Sequence, residues 1–174
     1  MGDMTTNADI LESITNDACV ALFEAYALSL KRVPVTIDSQ EGLMYCGVIG
    51  YTGSQIRGTL MLATSTEPIG RTSPSTEATP HEWVGELTNQ LLGRIKTRLT
   101  RRGVIIHMST PVVLRGQHLA PIPRSEHDLN PVVFASSAGI VCVWMDAECA
   151  KGIVLADMEE SVDAAMEEGT GMLF

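Results

Sequence analysis

The segment from Thr79 to Gly103 constrains the fold more than any other part of the chain, because both of its ends are marked. Thr79, Pro80 and Glu82 supply an N-cap, a proline at the first helical position and a capping-box acid, while Gly103 stands just past the last periodic residue as a C-terminal stop. At about 100 degrees per residue, Val84, Leu87, Leu91, Ile95 and Leu99 gather on one side. A helix over Pro80 to Arg102 with that stripe has to lie on an apolar surface. Its opposite pole carries Glu86, Asn89, Gln90, Gly93 and Thr97, with Glu86 and Asn89 as i, i+3 neighbours whose carboxylate and carboxamide project together. A glycine in mid-helix costs about 1 kcal/mol relative to alanine. Gly93 therefore calls for a reason, and close approach of another protein's backbone is one.

The rest of the chain supplies the surface for that helix. Ile10, Ile14, Ala18, Leu22 and Ala25 recur at helical spacing between Asn7 and Lys31, behind an acidic N-cap signature at Thr6 to Asp9, which predicts a first long amphipathic helix. Three β-branched runs follow, Val33 to Asp38, Met44 to Tyr51 and Ile56 to Thr64, the last two forming a hairpin across Thr52-Gly53-Ser54-Gln55. Ser65 to Thr79 is rich in Ser, Thr, Pro and Gly and reads as a surface loop. Beyond the second helix come Thr110 to Arg115, then Pro131 to Ala135 and Gly139 to Met145 as another hairpin. The order helix, strand, hairpin thus occurs twice. An α+β fold is expected, with two long helices packed on a six-stranded sheet built from a duplicated unit. Asp157 and Glu160 mimic a capping box, and Leu155, Met158, Val162 and Met166 form a stripe ended by Gly169, so a short C-terminal acidic helix is expected as well. The expected division is a single domain over residues 1–150 with an amphipathic extension over 151–174.

A chain of 174 residues with 45% hydrophobic content suits one core. Its net charge of -9 speaks against nonspecific affinity for nucleic acid or an anionic membrane. That charge is uneven. Asp157, Glu159, Glu160, Asp163, Glu167 and Glu168 carry most of it, while Arg94, Lys96, Arg98, Arg101 and Arg102 concentrate bases on the second helix, either as ordinary solvated helix charges or as a patch that steers an acidic partner. Cys19, Cys46, Cys142 and Cys149 form no CxxC pair and no helical partnership with a histidine, so no zinc site is expected. The N-terminus lacks the basic and apolar regions of a signal peptide, and the thiols sit in apolar runs, which points to a reducing cytoplasm. The longest apolar run, Val132 to Met145, is broken by Ser136, Ser137 and Gly139 and is too short for a membrane span. Trp83 is expected as a packing anchor, and His118 and His127 as solvated loop residues.

The stretch Val84 to Leu99, VGELTNQLLGRIKTRL, resembles the signature helix of the CheX/CheC/FliY family of bacterial chemotaxis phosphatases, whose motif is Glu-x-x-Asn followed by a glycine one turn later. GVIGYTGSQIRGTLMLAT (Gly47 to Thr64) resembles the strand-turn-strand leading into that helix, and TPVVLRGQHL (Thr110 to Leu119) the strand after it. The likeness extends from Asn7 to Met145 in element order.

The resemblance implies a phosphatase for the aspartyl phosphate of a CheY-like response regulator in chemotaxis or another two-component pathway. Asn89 would insert its carboxamide into the regulator's active site and orient the attacking water, and Glu86 would contact the regulator's lysine. Gln90, Gly93, Arg94 and Thr97 would line the contact. An aspartyl phosphate is already activated, and its regulator supplies magnesium and lysine, so a held water is what is missing; an amide that donates and accepts can hold it. No cofactor of this chain is then implied, only Mg2+ in the partner. The partner is a phosphorylated CheY-like regulator, not nucleic acid or membrane, with a homodimer left open. The alternative is a non-catalytic module that binds a regulator or another signalling protein through the same helix. The family has a further short helix before the signature helix, which the loop reading of Ser65 to Thr79 does not supply. Some members carry a second motif on the first helix; an offset of 77, Pro34 on Pro111, places Asp9 and Glu12 where Glu86 and Asn89 fall. That half lacks the amide, so one site is expected.

Overall fold

The computed structural model describes residues 6–35, 42, 44–74, 78–122 and 129–155. In chain order the elements are α1 (Asn7–Glu24), β1 (Lys31–Val33), β2 (Met44–Thr52), β3 (Ile56–Thr64), α2 (Thr66–Thr72), α3 (Pro80–Arg101), β4 (His107–Met108), β5 (Val112–Gly116), β6 (Val132–Ser136) and β7 (Gly139–Cys149). The strands form one antiparallel sheet in the order β1-β6-β7-β3-β2-β4, with β5 also paired to β2. The fold is α+β, as the patterning indicates, with three helices and seven strands among the described residues where two long helices and six strands are expected. The seventh strand is β4, two residues against the end of β2, too short for any sequence pattern to mark.

Both long helices lie against one sheet face. Leu87, Leu91, Leu92, Ile95 and Leu99 of α3 and Ala18, Cys19, Leu22 and Phe23 of α1 are fully buried there among Ile49, Leu60, Leu62, Val141 and Val143 of the sheet. Fully burying an aliphatic side chain is worth about 1.5–3 kcal/mol. Helix position is therefore set by packing, and the exposed pole of α3 contributes little to it. The alternate residues of the same strands, Met44, Cys46, Met61, Ala63, Val133, Cys142 and Trp144, make a smaller apolar cluster on the opposite face, joined by Leu119 and Leu129.

Two expectations are corrected. Ser65 to Thr79 is not all loop: α2 occupies Thr66–Thr72, capped by Ser65, with Pro68, Ile69 and Thr72 buried. Pro68 sits in the first turn, where its missing N–H has no intrahelical partner to lose. The short helix that the family resemblance implies before the signature helix is thus present. Second, α1 ends at Glu24, not near Lys31. Ala27 takes φ 57, and the Leu28 N–H bonds back to the Phe23 carbonyl at 3.0 Å, a left-handed stop made without glycine. The strand expected over Val33 to Asp38 accordingly begins at Lys31 and pairs with β6 through Val33. β7 runs four residues beyond Met145, where Asp146 to Cys149 pair with Thr59 to Ile56. Past β7 the chain is pinned to α1, since Asn7 donates to the Ile153 carbonyl and accepts from the Leu155 N–H, each at 2.8 Å. The expected acidic helix beyond Leu155 lies outside the described residues, as does His127.

Candidate active site

α3 starts as its sequence dictates. The Thr79 N–H donates to the Glu82 carboxylate at 3.0 Å, and the Glu82 N–H reaches the Thr79 hydroxyl at 3.4 Å. The Thr79 hydroxyl, donating to the Glu82 carboxylate at 2.6 Å, and then the Thr79 N–H hold the Glu82 carboxyl below its ordinary range. Further along, Gly47 of β2 lets the helix settle close to the sheet: a Cβ there would stand 2.0 Å from the Thr88 hydroxyl oxygen and 3.1 Å from the Val84 carbonyl. Gly85 makes a similar allowance for β5, since its Cβ would meet Val113 at 3.2 Å.

This close docking places the pole of α3 at a shallow cleft of about 480 Å3, with His81, Glu82, Gly85, Glu86 and Asn89 on the helix side and Ser109, Thr110, Pro111 and Val113 opposite. The far wall is fixed to the sheet, because Ser109 and Gly50 exchange backbone and side-chain bonds at 2.9 and 3.0 Å. Glu86 and Asn89 are both exposed, one turn apart. Among the described residues the Asn89 amide makes no hydrogen bond, whereas Glu86 accepts one from Gln90 at 2.8 Å.

The other expected contact residues differ in how free they are. Gln90 is half-buried and engaged at both ends of its amide, accepting from the Tyr26 hydroxyl at 2.8 Å while it donates to Glu86. Thr97 donates its hydroxyl to the Gly93 carbonyl at 3.1 Å. Gly93 is half-buried, yet a Cβ on it would meet nothing within 4 Å. Arg94 is half-buried a turn beyond Gln90. The basic residues further along face the other way: Arg98 and Arg102 line a cleft shared with Asp9 and Asp17 of α1, and Arg102 also reaches the Leu155 carbonyl at 3.4 Å. Two of the five bases expected to steer a partner, Arg98 and Arg102, therefore stand beside carboxylates of α1.

On α1 the positions that the sequence offset of 77 sets against Glu86 and Asn89 hold carboxylates with partners of their own. Asp9 closes the capping box of its own helix with Thr6, and Glu12 pairs with Arg32. A second cleft of similar size, about 460 Å3, lined by Leu11, Glu12, Thr15, Val143 and Met145 among others, lies at that end of the molecule, away from Asn89.

Trp83 is the expected anchor, its indole N–H donating to the Thr72 hydroxyl of α2 at 2.9 Å. Sequence reasoning missed Tyr26 and the Ser109 to Pro111 wall, and nothing in the sequence marks either as a neighbour of α3. Burial pushes the Cys46 and Cys142 thiols up to about 12 and Cys19 further still, which removes them as nucleophiles. Among the described residues no group of three His, Cys, Asp or Glu is placed to hold a metal ion, and no helix is long and apolar enough to cross a membrane.

The family described as "Chemotaxis phosphatase CheX" matches residues 45–134, a span that includes Glu86 and Asn89. No curated protein matches the chain. Among solved structures, the chemotaxis protein CheX from Vibrio vulnificus is similar with a TM-score of 0.66 at 19% identity, covering 84% of this chain and 100% of its own. A CheC-like superfamily protein from Shewanella sp. PV-4 gives 0.65 at 22% identity, with 79% and 97% covered. A chain of the CheX-CheY-BeF3-Mg+2 complex from Borrelia burgdorferi gives 0.55 at 15% identity, again with 79% and 97% covered. These likenesses are of fold.

Proposed function

The chain belongs to the CheX family of chemotaxis phosphatases, and from that membership we propose that it hydrolyses the aspartyl phosphate of a CheY-like response regulator, with Asn89 and Glu86 in the catalytic contact. The observation that carries the reading is the Asn89 carboxamide, exposed at the cleft and without a hydrogen bond among the described residues. A neutral amide so placed can accept from and donate to one water, and holding that water in line with phosphorus supplies orientation, the main term left to a protein acting on an activated acyl phosphate. Glu86, one turn earlier, pairs with the regulator's lysine and sets the register in which the amide works. That CheX and CheY are found together with Mg+2 in the Borrelia burgdorferi complex supports a CheY-like partner. The magnesium belongs to the regulator in this reading, and the chain brings no cofactor of its own.

Gly93 supports the same surface. Its lack of a side chain costs the helix about 1 kcal/mol, and no packing within the described residues requires it. A regulator's backbone seated on that turn gives it a use. Arg94 and Thr97 extend the contact along the helix. The two helix-strand-hairpin units are read as a duplication in which only the second half kept a site, the domain as residues 1–150 with an acidic extension over 151–174, and the location as the cytoplasm.

The test is decay of phosphate from a purified CheY-like regulator charged with acetyl phosphate. Wild type accelerates the decay, and Asn89→Ala loses about a hundredfold of that acceleration, the size expected when water orientation is the main contribution. An unchanged rate in the variant removes the assignment. A phosphate lifetime that the wild-type protein leaves unaltered or lengthens, with association intact, converts the reading to a binding module.

A further inference from the structure

An exposed glutamate on a helix has three rotatable side-chain bonds, and fixing them on contact costs entropy that weakens the contact. Glu86 is exposed, yet one of its carboxylate oxygens is already held. Gln90 Nε2 donates to Glu86 Oε1 at 2.8 Å, and Gln90 Oε1 accepts from the Tyr26 hydroxyl at 2.8 Å. The Tyr26 ring in turn meets Trp83 edge to face, centroids 5.3 Å apart at 88°. Trp83 is tied through its indole N–H to Thr72, whose hydroxyl donates to the Pro68 carbonyl at 2.8 Å. A continuous line of contacts from α2, through the first turn of α3 and the end of α1, therefore terminates on one carboxylate.

Two features give the line a direction. An ionised carboxylate only accepts, so Gln90 must present its NH2 to Glu86 and its carbonyl to Tyr26, and a phenol is the donor that satisfies that carbonyl. Tyr26 lies just past the end of α1, where its N–H closes on the Phe23 carbonyl at 3.0 Å and the chain turns away immediately afterwards at Ala27, φ 57. Glu86 Oε2 makes no hydrogen bond among the described residues and is left for a partner.

We propose that Tyr26 and Gln90 are positioning residues that hold Glu86 Oε1 so that Oε2 is presented to the cation of the docking regulator. The proposal rests on the phosphatase reading above and adds to it two residues that act through Glu86. Their effect falls mainly on association, because Asn89 belongs to no part of the line and the hydrolytic step is reached only through the register that Glu86 sets.

The experiment measures KM and kcat on the phosphorylated regulator that wild type dephosphorylates. Tyr26→Phe deletes one oxygen and leaves the ring on Trp83; it raises KM by about three- to tenfold, the range of one intramolecular hydrogen bond, with kcat within about twofold. Gln90→Met, which keeps length and helix propensity, gives the same split. In a Glu86→Ala background Tyr26→Phe adds nothing further, since there is no carboxylate left to position. A KM unmoved by Tyr26→Phe while Glu86→Ala raises it overturns the positioning role and leaves the phosphatase reading standing. An equal KM rise in both backgrounds overturns it too, because Tyr26 would then act on the fold in general. If Asn89→Ala and Glu86→Ala both behave as wild type, the phosphatase reading falls and this proposal with it.

Discussion

α1 and α3 are built alike and used differently. Each begins with a threonine whose hydroxyl and amide close a capping box with an acid three residues on, Thr6 with Asp9 and Thr79 with Glu82, and each buries one stripe against the same sheet face. On α1 the pair that the sequence offset of 77 sets against Glu86 and Asn89 is spent on structure, Asp9 in the cap and Glu12 with Arg32. On α3 the cap is made by Glu82, one turn earlier. Glu86 and Asn89 are thereby left to face the cleft, a polar pair that neither the cap nor the packing of the helix uses.

The sharpest way to break this comparison is to truncate matched positions. Asn89→Ala is expected to lose about a hundredfold in catalysed phosphate decay, while Glu12→Ala loses less than about twofold. An exposed ion pair is worth about 0–1 kcal/mol, so its loss barely moves stability either. Equal effects at the two positions would erase the functional distinction between the helices. The next largest effect is on packing under α3. Gly47→Ala forces a methyl into the Thr88 side chain and the Val84 carbonyl; overpacking of this kind costs about 2 kcal/mol, a fall of roughly 4–8 °C in Tm for a chain of this size. Phosphatase activity should drop with it, since the same shift moves the cleft.

Gly93 sharpens the contrast in the opposite sense. A methyl there meets nothing in this chain within 4 Å, so Gly93→Ala is expected to raise Tm by about 2–4 °C through helix propensity alone. Regulator binding should weaken at the same time. A variant that is stabilised and binds normally would show that no partner backbone approaches that turn. The smallest effect is one the two helices share. Asp9 and Glu82 are held below their ordinary values of 3.8 and 4.5, first by the threonine hydroxyl and then by its amide. Their support is therefore complete above those values and is lost as the pH falls through the lower values of the folded protein. Thermal melts down to about pH 3 should fall less steeply for the pair Asp9→Asn and Glu82→Gln than for wild type, because neither amide titrates.

α3 was readable in the sequence almost residue for residue, since its cap, its proline, its stripe and Gly103 are all local signals; the helix ends at Arg101 and Gly103 takes φ 74. Glu86 and Asn89 were readable for the same reason, being what the stripe leaves over. α2 was not, because seven residues are too few to show a period and its Ser, Thr and Pro content imitates a loop. What makes it helical is tertiary: Pro68 and Ile69 are buried, and Thr72 accepts from Trp83. The stop of α1 was hidden for a related reason, since Ala25, Ala27 and Leu28 are good helix formers and only burial of Leu28 selects the left-handed turn. Tyr26 could not be assigned because its partner Gln90 lies on another helix, and pairing across that separation leaves no mark in one sequence.

The strand order also governs how the molecule comes into being. β1, which follows α1, pairs with β6 of the second hairpin, while β5, which follows α3, pairs with β2 of the first, and the two hairpins meet along β3 and β7 from Thr64–Val141 to Ile56–Cys149. Each half of the chain completes the sheet of the other, so neither half can be finished until both have been synthesised. Such high contact order slows folding. It also means that the cleft wall carried by β5 rests on β2 of the first half, so the cleft beside α3 depends on a strand laid down well before it in the chain.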